Sequence, residues 1–334
     1  MDPLLNLVVD MYGCPNRCLH CWLGHMPNKA LPDGTDSYIV DYFRPYFGRI
    51  AYYSWMREPD FCNDYRERWL RDIALSVNAK PERFELASFW RIARDDGYVP
   101  FLKEAGVKKV QLTFFGLRET QDRYVGRKCA FDEVVEATHR LIKGGIIPRW
   151  QCFINEENIS EIEEVYALYL KIKAEFCPDM EFFVHEGSCD GENRKLYPIR
   201  IQKRHIPESL IPVYLGYDGL LEEKDCVKQL LECDHSPEYR LSGDITLNIA
   251  GTLDAYLNFT HLSAPWQVGN LKTDDPRVFC RRLAEGDIPA LRRAKQVTWK
   301  RLARDYGAQD SERAFSLDDY KMFLFNRFLD DNEE

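Results

Sequence analysis

Short β-rich runs alternate with helical patterns along the first half of this chain, and that alternation limits the fold more than any other feature. The runs are Leu5–Val9, Ile50–Trp55, Phe84–Phe89, Val110–Phe115, Arg149–Ile154 and Glu181–His185, each of strand length and rich in apolar or β-branched residues. Helix-like segments lie between them. Asp132–Lys143 stops at Gly144-Gly145, and Ile159–Glu175 follows the cap residue Asn158, as helix ends prefer. A further helical pattern lies near Asp60–Val77. Six strands separated by helices imply βα units and a parallel sheet, with functional loops at the strands' C-terminal ends. A curled, incomplete barrel and a flat doubly wound sheet both fit this periodicity.

After about residue 190 the pattern changes. Asp190–Pro212 is polar and proline-rich and reads as a connection or lid. A hairpin follows, Asp244–Ala250 and Thr252–Phe259 turning near Gly251. Helical patterns then cover Arg277–Glu285, Ala290–Tyr306 and Leu317–Leu329. The expected division is a core domain over residues 1–195 and a smaller α+β domain over residues 196–334.

The charge balance removes several functions. A formal net charge of -9 argues against a nucleic-acid backbone as main partner, because phosphate binding needs a basic face, although Arg123, Arg127 and Lys128 are close enough in sequence to form a local basic patch. The N-terminal Met1-Asp2-Pro3-Leu4 lacks the basic start and apolar run of a secretory signal, and no stretch reaches the roughly 20 apolar residues of a membrane span. Most of the eleven cysteines are scattered singly, which fits reduced thiols in a cytoplasmic enzyme better than a disulfide scaffold.

Three cysteines are not scattered. Cys14-Pro15-Asn16-Arg17-Cys18-Leu19-His20-Cys21 is a C-x3-C-x2-C array directly after the first strand. Three thiolates on so short a loop can converge on one metal centre. A [4Fe–4S] cluster normally takes four, so three leave one iron open, and an open position is how a metal site admits a substrate or cofactor. The competing reading is a structural zinc site completed by His25 or His20. Zinc knuckles usually bring their ligands in two pairs, whereas here all three crowd onto one loop. A third reading is an iron–sulfur redox or sensing protein.

This loop, with six βα-like units behind it, resembles the radical SAM superfamily over about residues 4–190. The resemblance implies a partial (β/α)6 TIM-like barrel in an α/β fold, with Cys14, Cys18 and Cys21 binding a [4Fe–4S] cluster. It also implies S-adenosylmethionine (SAM) on the free iron, reductive cleavage to a 5′-deoxyadenosyl radical, and a flavodoxin- or ferredoxin-type electron donor. His20 stands where the family places a flat ring near the adenine. In Trp55-Met56-Arg57-Glu58-Pro59 the family's Gly-Gly-Glu-Pro-like stretch keeps Glu58 for the SAM amino group, but Met56 and Arg57 replace the glycines that permit close backbone approach. Thr113 takes the hydroxyl position after Val110. Arg123 or Arg127 stands in for the loop arginine, a good carboxylate partner, and Gln151 is the expected ribose contact. Cys129 is a candidate hydrogen-atom donor.

The stretch Leu241–Leu271 is similar to the SPASM or Twitch extension of such enzymes. It lacks the extension's cysteine near Tyr256, Leu257 and Asn258 and its C-x2-C-x5-C array. Cys177, Cys189, Cys226, Cys233 and Cys280 remain, and the reading favours buried small apolar residues over a second, auxiliary cluster. Relatives with such extensions modify peptides or oxidise and epimerise sugars. Because the cysteine loop begins at Cys14, with no peptide-binding domain ahead of it, the expectation leans to a small-molecule substrate.

Overall fold

The computed structural model describes residues 3–189, 191–239, 241, 243–257 and 262–331. Among the described residues the strands are β1 Leu4–Val9, β2 Arg49–Tyr53, β3 Lys109–Phe114, β4 Ile147–Phe153, β5 Glu181–His185, β6 Leu220–Glu222, β7 Ile245–Ile249, β8 Asp254–Leu257, β9 Gln267–Asn270 and β10 Ala314–Ser316. In the first half of the chain the helices are α1 Thr35–Phe43, α2 Tyr65–Leu75, α3 Phe89–Arg94, α4 Tyr98–Glu104, α5 Arg118–Val125, α6 Ala130–Gly144 and α7 Ile159–Phe176. The second half carries α8 Glu223–Leu231, α9 Pro276–Glu285, α10 Pro289–Ala294, α11 Trp299–Tyr306 and α12 Leu317–Asp331.

Two sheets form an open, partial barrel. One has the order β2-β1-β7-β8-β9, the other β3-β4-β5, while β6 and β10 pair separately. β1 runs parallel to both β2 and β7, and β3, β4 and β5 are parallel to one another. The first β-strand of the C-terminal hairpin thus enters the sheet of the core, with Leu5 opposite Ile245 and Val9 opposite Ile249. Phe259 and Asn258, which the sequence reading placed at the hairpin's far end, lie outside the described residues, as does Asp190.

Each sheet buries one face. Leu5, Leu7, Val9, Ile50 and Tyr52 join Leu247, Ile249 and Phe279 in one core. Val110, Leu112, Trp150, Cys152 and Val184 pack against α6 and α7 in a second. Burying each such large side chain contributes roughly 1.5–3 kcal/mol. Trp150 keeps its polar edge satisfied by donating Nε1–H to Thr138 Oγ1 at 2.9 Å.

Two expectations fail. Phe84–Phe89 is not a strand: Phe84 takes φ 49°, and only Glu85 O, accepting from Gln111 N–H at 2.7 Å, touches the sheet ladder. Phe84 and Leu86 stay exposed, at 53% and 42%, while Ala87 and Phe89 pack against the core from outside the sheet. The helix expected over Ala290–Tyr306 is two helices, α10 and α11. Thr298 starts the second by accepting Arg301 N–H on its side chain, a cap that competes with helix continuation.

Candidate active site

The cysteine loop leaves the C-terminal end of β1 and is stapled on both sides. Asn28 presents its amide to the backbone of Cys14, accepting N–H at 3.1 Å and donating to the carbonyl at 2.8 Å. Arg57 forms a buried two-point ion pair with Asp10, at 3.0 and 2.8 Å, and donates to Met26 O at 2.8 Å and Pro27 O at 3.2 Å. On the outer side Arg17 N–H bonds Val125 O and Leu19 N–H bonds Tyr124 O, fastening the loop to the end of α5. All three cysteines are free and half-buried. Among the described residues no His, Cys, Asp and Glu set gathers about a single-ion site, and His25 is exposed.

Gly126 makes the outer contact possible. It has φ +71°, and a Cβ there would stand 2.6 Å from Arg17 O. Gly145 has φ +75° but its Cβ would meet only the end of Lys103 at 3.3 Å. Left-handed backbone alone costs an L-residue about 1–2 kcal/mol. Gly126→Ala is therefore expected to destabilise more than Gly145→Ala in chemical denaturation. Equal losses would remove the case for a steric role at Gly126.

Burial pushes all three thiols up, most strongly at Cys14; at Cys18 burial, then the neighbouring Glu58 carboxylate, raises the pKa to about 12. Glu58 Oε2 lies 3.8 Å from Cys14 Sγ, and burial raises its own pKa to about 7. The thiols thus rest protonated until a cationic centre arrives, which deprotonates a coordinating thiol outright. Glu58 Oε1, Trp55 Nε1 and His20 Nδ1 are buried without a hydrogen-bond partner. Buried polar atoms are normally paired, so these atoms fit a site built to take a polar ligand.

His20 opens onto a crevice. Its ring lies 4.4 Å from Phe115 and 4.8 Å from Phe153, and burial lowers its pKa to about 3, keeping it neutral. The crevice, also lined by Asn155, Asn193 and Arg200, has about 30 Å³ of enclosed room within about 410 Å³ of space opening to solvent. His20 faces these rings and not the thiols, which removes it as a fourth zinc ligand. Sequence reasoning missed Asn28, Asn193 and the clamp between Arg57 and Asp10, none of which carries a spacing signal.

The other expected residues divide by position. Arg127 donates to Asn16 Oδ1 at 3.0 Å, pairs with Glu133 and lies 5.5 Å over Phe89; its charge lowers the pKa of Cys18 and Glu58. Arg123 is exposed and pairs with Glu157 at 3.1 Å. Cys129 is exposed at the start of α6. Thr113 and Gln151 share the lumen face of β3 and β4, where Gln151 is spent between Gln111 and His185. Cys189, Cys226 and Cys280 belong to one core and Cys233 packs against it, while Cys177 packs against the other.

Comparison with known proteins places this arrangement. The radical SAM superfamily model matches residues 8–169. The Fe-coproporphyrin III synthase of Methanosarcina barkeri (strain Fusaro / DSM 804) is 34% identical over 67 residues, which is 20% of this chain and 17% of that protein's length. A structure of native anSMEcpe with bound AdoMet and Cp18Cys peptide covers 98% of both chains at 15% identity and a TM-score of 0.53. SuiB of Streptococcus suis bound to precursor peptide SuiA covers 95% of this chain and 76% of that one, at 13% identity and a TM-score of 0.50. No helix among the described residues is long and apolar enough to cross a membrane. The family match over residues 8–169, set on the partial barrel, gives this chain a radical SAM domain, the domain of an enzyme superfamily.

Proposed function

We propose that Cys14, Cys18 and Cys21 hold a [4Fe–4S] cluster with one iron open to SAM. The observation that carries this reading is the stapled three-thiol loop beside a crevice whose buried polar atoms lack partners. When bound, the reduced cluster would supply the electron that breaks the C5′–S bond of SAM, giving methionine and a 5′-deoxyadenosyl radical that takes hydrogen from a substrate. Glu58 Oε1 receives the SAM amino group. Arg127, half-buried beside Cys18, receives the carboxylate better than the exposed Arg123. The crevice at His20 takes the adenine, with aromatic walls that exclude water. Thr113 and Gln151 face the ribose, and Gln151 must exchange one of its present amide bonds to reach it.

For the substrate, the lean towards a small molecule has no support in the comparisons; the peptides bound to anSMEcpe and SuiB weigh towards a peptide. The proposal includes a flavodoxin- or ferredoxin-type electron donor, a cytoplasmic location, and no auxiliary cluster. Its test is anaerobic reconstitution with iron and sulfide, then incubation with SAM and dithionite. The expected product is 5′-deoxyadenosine. A brown, iron-replete protein that forms none refutes radical chemistry and leaves a redox or sensing protein.

A further inference from the structure

Two buried asparagines border the His20 crevice, and they are in opposite states. Asn155 spends both ends of its amide: Nδ2–H donates to Tyr124 Oη at 2.9 Å, and Oδ1 accepts from the backbone N–H of Glu157 and Asn158. Asn193 is 6% exposed, yet its Oδ1 has no hydrogen-bond partner. A buried acceptor left unmade costs about 1–3 kcal/mol, so its retention at the wall of a ligand crevice points to a ligand that satisfies it.

The position of Asn193 relative to His20 is fixed by the cysteine loop itself. Asn193 lies in the short 3-10 segment Gly191–Ile199. Glu192 N–H bonds Trp22 O at 3.2 Å, directly after Cys21. Gly24 is packed so closely that a Cβ on it would lie 2.6 Å from Glu192 Cγ. Arg194 ties the same segment to Asp330 of α12. The segment is therefore seated on the loop that carries His20.

We infer that Asn193 reads the edge of the adenine, its amide oxygen accepting a hydrogen bond from the exocyclic amine. An amide is the side-chain group that matches adenine's paired donor and acceptor edge. This assignment rests on the crevice holding the adenine, and it makes Asn193 a specificity-determining residue of the cofactor site. It also explains why the segment after β5 is anchored to the cysteine loop: recognition of the base requires both walls in register.

The test is calorimetric binding to the anaerobically reconstituted protein. The ligands are S-adenosylhomocysteine and its 6-desamino analogue, which carries purine in place of adenine. The wild type is expected to prefer the adenine ligand about tenfold, the worth of one well-made hydrogen bond. Asn193→Leu, with an unchanged thermal midpoint, should bind both ligands alike, while Asn193→Asp, which keeps an acceptor, should retain the preference. Asn193→Leu that still discriminates as the wild type does overturns the inference. A wild type that binds neither ligand overturns the adenine crevice itself, a separate failure.

Discussion

Replacing Cys18 with alanine is expected to abolish 5′-deoxyadenosine formation and to bring the iron content of the reconstituted protein close to none. Three thiols are the whole protein ligand set proposed for the cluster, so loss of one leaves two protein bonds where a cubane normally has four. Cys18 is also the thiol nearest the centre of the array, packed beside Phe115 and Tyr124, and burial with the Glu58 charge holds its proton on until metal arrives. His20 does not stand in for it, since its ring packs against Phe115 and Phe153 in the crevice. Cys129→Ala and Cys226→Ala serve as controls, one exposed and one in the core, and both should keep iron. Iron that persists when Cys14, Cys18 and Cys21 are all replaced would place a second cluster among Cys177, Cys189, Cys226, Cys233 and Cys280, against the single-cluster reading.

The cysteine loop was legible because its three thiols fall within eight residues and follow a mostly apolar strand. Strand β5 was legible to the residue for a related reason: Glu181–His185 alternates between a buried and a half-exposed face, so period-2 reading suffices. Phe84–Phe89 has the same composition but no sheet neighbour for most of its length. Composition reports the capacity to pair, not the presence of a partner. The parallel pairing of β7 with β1 was invisible for the converse reason, since contact between Leu5 and Ile245 depends on where a distant hairpin docks. Functional residues follow the same division. Glu58, and Arg123 or Arg127, were proposed through a motif, and Asn193 was hidden in a polar segment where burial sets it apart from Glu192 and Lys195.

Removal of Arg57, which stands with Met56 where the resembled stretch has glycines, is expected to destabilise the fold by about 3–5 kcal/mol, the usual cost of breaking a buried ion pair from one side. The pair with Asp10 is 6% and 7% exposed at its two side chains. Asp10 directly follows β1 and bonds Ile249 O through its N–H, while Arg57 follows β2 and reaches the carbonyls of Met26 and Pro27. One guanidinium therefore joins both strand ends and the chain leaving the cysteines, a task a glycine cannot perform. Arg57→Leu leaves a carboxylate and two carbonyls without their donor. Arg57→Lys retains the charge but not the planar fork that makes two-point contact with Asp10, so it should recover only part of the loss. Adding Asp10→Asn to Arg57→Leu removes the stranded charge and should be less damaging than additivity predicts, the signature of direct coupling. Chemical denaturation of the metal-free chain measures these differences without reference to activity. A loss below about 1 kcal/mol, the range of exposed pairs, would mean that Asn28 and the backbone bonds to the end of α5 hold the loop without the clamp. If the clamp is what orders the thiols, the same variant, once reconstituted, should also release iron to a chelator faster than the wild type.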